Sequence, residues 1–152
     1  MSVSPKLRKQ ILVELEQLNL LMRRHSSLMS KCRTESPNNV EIDALATLLH
    51  SFYTGMENLF KRIGLELDGN TLKGESWHAQ LLNAMATPGP SRPSIISPAL
   101  RDELRAYLDF RHVFRHAYSH ELQWTKMAPL VMNAAKTLQR FEAAIQSFLD
   151  SD

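Results

Sequence analysis

Apolar residues recur along this chain at steps of three and four, and no run keeps the two-residue alternation of a half-buried strand. Ser4-Pro5 reads as an N-cap followed by proline at the first helical position. Leu7, Ile11, Leu15, Leu18, Met22 and Met29 then form one stripe, which predicts a helix to about Cys32. Ser36-Pro37-Asn38-Asn39 ends that helix and prepares the next. Ile42, Leu45, Leu49, Phe52, Met56, Leu59 and Ile63 make the clearest seam, closed by Gly64 as a left-handed C-cap. Glu57 and Asn58, beside that seam, read as surface positions, with polar groups that support a site as the alternative.

A linker is expected from Leu65 to Lys73, then a short helix from about Glu75 to Ala86 carrying Trp77, Leu81, Leu82 and Met85. Within it, His78 reads as a packed or solvent-facing side chain, with an approach to the Arg111 helix as the alternative. The prolines at 88, 90 and 93 make Thr87 to Ser97 a surface loop, because proline removes a donor and clashes with the preceding turn. Ser97-Pro98 restarts a helix predicted to reach Tyr118, with Leu100, Leu104, Tyr107, Phe114 and Tyr118 on its apolar side. A last helix is expected from about Thr125 to Leu149, with Pro129 near its first turn. The sum is an all-α antiparallel bundle of about four long helices plus a short extra one, a single domain over residues 1–152.

Composition narrows the function classes. A hydrophobic share of 43% over 152 residues is ordinary for one globular unit. No segment approaches a membrane span, and MSVSPKLRKQ lacks the apolar run of a signal peptide, so a cytoplasmic protein is expected. Cys32, alone, allows no internal disulfide. With only five glycines there is no glycine-rich phosphate loop, which argues against a nucleotidyltransferase. Net charge is only +2, but Arg92, Arg101, Arg105, Arg111 and Arg115, with His112, His116 and His120, gather positive potential in one third of the chain.

The densest chemistry lies in Arg111-His112-Val113-Phe114-Arg115-His116-Ala117-Tyr118. Arginine is a permanent cation that grips phosphate with a planar fork of donors, and histidine titrates near neutrality. Metal-free RNA cleavage needs those two parts, because the 2′-hydroxyl is a built-in nucleophile. On an ideal helix Arg111 and His116 point about 140° apart, a difficulty for a site on one straight helix. A bend near His116, or a second subunit, would relieve it. His112, His116 and His120, four apart, leave zinc as a competing reading, although three such side chains on a straight helix span about 12 Å.

Written as R-x4-H-x-Y, the octet resembles the signature of the HEPN superfamily, in particular its HepT-like ribonuclease toxins, where the residue after the arginine is typically polar, as His112 is. LATLLHSFYTGMENLFKRI (45–63), Gly74-Glu75-Ser76-Trp77-His78 with Leu81-Leu82, Arg92-Pro93 before Ile95, and Tyr107-Leu108-Asp109-Phe110 extend the resemblance over most of residues 40–130. It implies a metal-independent endoribonuclease of a toxin–antitoxin pair that leaves a 2′,3′-cyclic phosphate. Arg111 and His116 would be catalytic, with His112 and Tyr118 supporting. It also implies no cofactor, an RNA substrate, a homodimer with a shared cleft, and an MNT-type nucleotidyltransferase antitoxin that adenylylates Tyr118. The alternatives are a catalytically silent HEPN bundle that binds or assembles with a nucleotidyltransferase, and a helical metal-binding regulator.

Overall fold

The computed structural model describes residues 3–69 and 72–151, and among them there are six α-helices and no strand. The molecule is an all-α helical bundle. Helix α1 (Pro5–Arg24) starts as its sequence requires: Ser4 Oγ accepts the Leu7 N–H at 3.0 Å and Pro5 takes the first helical position. The first helix does not run unbroken to Cys32. It stops at His25, whose Nδ1 reaches back to the Leu21 carbonyl at 3.0 Å, and a short α2 (Ser26–Lys31) follows.

Helix α3 (Asn39–Ile63) opens on a capping box in which Asn38 and Glu41 satisfy each other's backbone donors. Its buried face is wider than the single seam: Leu48, Tyr53 and Phe60 are sealed along with Leu45, Leu49, Phe52, Met56, Leu59 and Ile63. Helix α1 lies so close to α3 that a Cβ on Gly55 would come within 2.7 Å of Leu18 Cδ2, which explains a glycine in mid-helix. Gly64 does not cap in the left-handed region. It has φ −61° and carries the chain into a π-helical turn, Gly64–Asp68, and the left-handed residue is Gly69 at φ +69°. The expected linker therefore begins as helix; residues 70 and 71 of it lie outside the described residues.

Helix α4 (Trp77–Met85) leads into the predicted proline-rich loop, which is pinned to it where the Met85 carbonyl accepts the N–H groups of Ile95 and Ile96. Arg92 is not part of an exposed basic surface. Its guanidinium is buried against Asp68 (2.7 Å) and also donates to the carbonyls of Thr87, Pro93 and Ala84. Helix α5 (Pro98–His116) repeats the cap logic, with Ser97 Oγ accepting the Leu100 N–H at 3.1 Å. After a 3₁₀ turn (Ser119–Glu121), helix α6 (Trp124–Asp150) closes the bundle. Pro129 falls in its second turn, early enough to cost a single ladder bond. Tyr107, buried, donates from α5 to the Leu130 carbonyl of α6 at 2.8 Å and fixes how the two cross. No helix among the described residues is long and apolar enough to cross a membrane.

Candidate active site

The last three turns of α5, from Arg105 onward, border an open groove of about 860 Å³, whose opposite wall is the Gly74–Ala79 segment entering α4. Arg111, His112, Arg115 and His116 all line it. The helix is continuous to His116 and ends there. The groove nevertheless reaches both residues: Arg111 faces it from the half-buried side of α5, and His116 from the solvent side, its ring 4.7 Å from that of His112.

Arg111 is held from below. Glu57, only 3% exposed at its side chain, places Oε1 3.4 Å from Arg111 Nη1, and its Oε2 lies 2.7 Å from His78 Nδ1. Arg111 Nη1 is also 3.2 Å from that same His78 nitrogen. One nitrogen cannot donate to Glu57 and accept from Arg111 at once. The shorter contact to the carboxylate is the hydrogen bond, and the longer one is only proximity. The result is a buried carboxylate joining α3, α4 and α5 behind the groove. The sequence reading of Glu57 as a surface residue is thus overturned, and His78 is a working partner of the carboxylate. A signal was available: Ala46, Tyr53, Glu57, Phe60 and Gly64 follow helical spacing as a second buried stripe, and Glu57 is its one charge.

His50, also on α3, packs edge-on against Phe114 of α5 at 5.0 Å between ring centres. Both its ring nitrogens are buried without a hydrogen-bond partner. Burial chiefly, then the charges of Arg111 and Arg115, holds its pKa below the ordinary histidine value.

Tyr118 is not on α5. Ala117 turns extended, with φ −106° and ψ 150°, and Tyr118 follows in the same conformation, 74% exposed. Its expected place on the apolar side of that helix is corrected accordingly. Glu121 accepts its backbone N–H at 3.0 Å, and its ring stacks on His120 at 5.5 Å. His120 therefore leaves the line of His112 and His116. Among the described residues no three His, Cys, Asp or Glu side chains form a metal-ligand set.

A family model described as HepT-like protein matches residues 44–151, from the first turns of α3 to the end of α6. The chain belongs to the HepT-like family. The match spans every member of the site: Glu57 and His50 on α3, His78 on α4, Arg111 to His116 on α5, and Tyr118 beyond it. The HepT-like unit thus contains both the groove and the carboxylate behind it, while α1 and α2 precede the matched region. No curated protein and no solved structure matches the chain.

Proposed function

We propose that this HepT-like protein is a metal-independent endoribonuclease, the toxin of a cytoplasmic toxin–antitoxin pair, and that Arg111 and His116 carry the chemistry. The observation behind this reading is that a permanent cation and an exposed imidazole line one open groove. The reaction needs no outside nucleophile. The 2′-oxygen of the ribose attacks the adjacent phosphorus, the P–O5′ bond breaks, and a 2′,3′-cyclic phosphate and a 5′-hydroxyl result. His116 takes the 2′-proton or supplies one to the departing 5′-oxygen. Arg111 offsets the charge gathering on the phosphoryl oxygens, from a guanidinium that Glu57 has already oriented. Arg115 makes no ion pair among the described residues, which leaves its charge for steering the strand, and His112 lies beside His116 as a supporting group.

One His116 per groove serves one proton transfer well. Two copies of α5 facing each other would supply both the base and the acid. Val113, apolar yet 52% exposed between Arg111 and His116, supports an interface there. Control falls to Tyr118. Its exposure leaves the hydroxyl within reach of an MNT-type nucleotidyltransferase, and an adenylyl group at this end of α5 would set bulk and negative charge where RNA must enter.

The test is incubation of the purified protein with single-stranded RNA in chelator. Wild type is expected to cut and leave cyclic phosphate ends. His116→Ala and Arg111→Ala are each expected to lose about 10²–10⁴-fold in rate. Cleavage surviving in both variants, or wild-type activity lost to chelator alone, would refute the reading. Co-expression with the nucleotidyltransferase and peptide mass spectrometry should place one adenylyl group on Tyr118, and Tyr118→Phe should remain unmodified and active.

A further inference from the structure

A second concavity adjoins the groove on the other side of Trp77. It holds about 520 Å³, within the range of small-molecule sites, and Trp77 lines both hollows. Asn58, Lys61 and Arg62 of α3 supply its polar wall, while Leu65, Leu72 and Trp77 contribute apolar surface. Its charge is mostly unspent. Lys61 has no ion pair among the described residues, and its ammonium stands 5.4 Å from the centre of the indole ring. Arg62 meets Glu14 at 3.5 Å with one nitrogen, while its Nε is buried without a partner. The Asn58 amide makes no hydrogen bond among the described residues, so a donor pair and an acceptor stand open beside the cations.

Position adds to composition. Lys61 is one turn of α3 beyond Glu57, the residue that orients Arg111, a rise of about 6 Å. Trp77 is the neighbour of His78, its ring centre 3.7 Å from the imidazole. A strand whose phosphate meets Arg111 therefore passes Trp77 within a nucleotide's reach. Apolar and aromatic walls, adjacent cations and a free amide are what single-stranded RNA recognition uses for base, phosphate and base edge. A solvated lysine face would have the cations without the hollow or the indole.

Resting on the ribonuclease reading above, we propose that the hollow between α3 and α4 is a nucleotide subsite. It seats the base flanking the scissile phosphate of a single-stranded RNA, with the adjoining phosphate on Lys61 and Arg62. Asn58 meets the base edge and so biases which sequence is cut. A free mononucleotide offers the same base and phosphate, and the test separates the two sources.

The experiment titrates a short 2′-O-methyl RNA, which binds but cannot be cut, into the full-length protein. Binding is followed by Trp77 emission in a Trp124→Phe background. The expected result is saturable quenching, weakened at least about tenfold by Lys61→Ala and by Leu65→Glu, which sets a carboxylate at an exposed position of the wall. AMP should bind far more weakly than the oligonucleotide. Cleavage maps of wild type and Asn58→Ala on one mixed-sequence RNA should differ in the base beside the cut. No quenching, or wild-type affinity in both wall variants, overturns the subsite even if wild type cuts RNA. AMP binding as tightly as the oligonucleotide overturns its assignment to a strand. Saturable binding in the hollow by a protein that never cuts RNA leaves the subsite standing and sinks the ribonuclease reading.

Discussion

Glu57 shows how much one side chain can decide here. A carboxylate this deeply buried is tolerated because His78 and Arg111 satisfy it, and the three form a single electrostatic unit. Removing the carboxylate strands a half-buried guanidinium, so Glu57→Ala is expected to cost about 3–5 kcal/mol in urea denaturation. The same variant should cleave RNA more slowly, since Arg111 loses its orientation. Wild-type stability in Glu57→Ala would show that the contact contributes nothing. His50 yields a pH signature. Its folded pKa is lowered, first by burial and then by the two arginines, so the unfolded chain binds the proton more readily. Well above the ordinary value of 6.5 the ring is neutral in both states and carries no penalty. As pH falls through that value the unfolded state is protonated first, stability drops, and the loss levels off once the folded ring is protonated too. His50→Leu should flatten this part of the slope when urea midpoints are compared at about pH 7.5 and about pH 5.5. An unchanged slope would assign it to the other histidines.

At the scale of elements, the helices were legible in the sequence, and their ends less so. Ser4-Pro5 and Ser97-Pro98 both start helices where expected, because a hydroxyl and a proline encode an N-terminus locally. Ser97→Ala should therefore lose about 1 kcal/mol of stability, read as a lowered denaturation midpoint with an unchanged slope. C-termini carry weaker local signals. Gly64 was free to continue into a π turn, and α5 stopped before Tyr118 because Ala117 turned extended, a choice that nothing in R-x4-H-x-Y spells out. The candidate site divides the same way. Arg111, His112 and His116 stood out from residue type and spacing. Glu57 and His78 did not, because their importance comes from α3 and α4 meeting α5, a tertiary event. Arg92 failed for a related reason: a charge count treats every guanidinium as solvated, and this one is buried.

For the whole molecule, the groove at the end of α5 is open and edged by exposed Val113, which fits closure by a second copy. Light scattering is expected to report a dimer at micromolar concentration, and Val113→Lys to shift it toward monomer while leaving the circular dichroism helical. Cleavage should fall with dimerisation, since two imidazoles would no longer share a cleft. A fully active Val113→Lys monomer would overturn the shared-cleft arrangement. The proline-rich loop after α4 has a consequence of its own. The five donors of the Arg92 guanidinium are all engaged, on Asp68 and on three backbone carbonyls of the loop and of α4. A segment of such composition would ordinarily be the first place a protease cuts. Arg92 ties it to the end of the π turn and the Met85 carbonyl ties it to α4, which opposes the extended conformation a protease's binding cleft requires. Resistance to nicking at this point would then come from one buried arginine together with the two N–H groups held by the Met85 carbonyl.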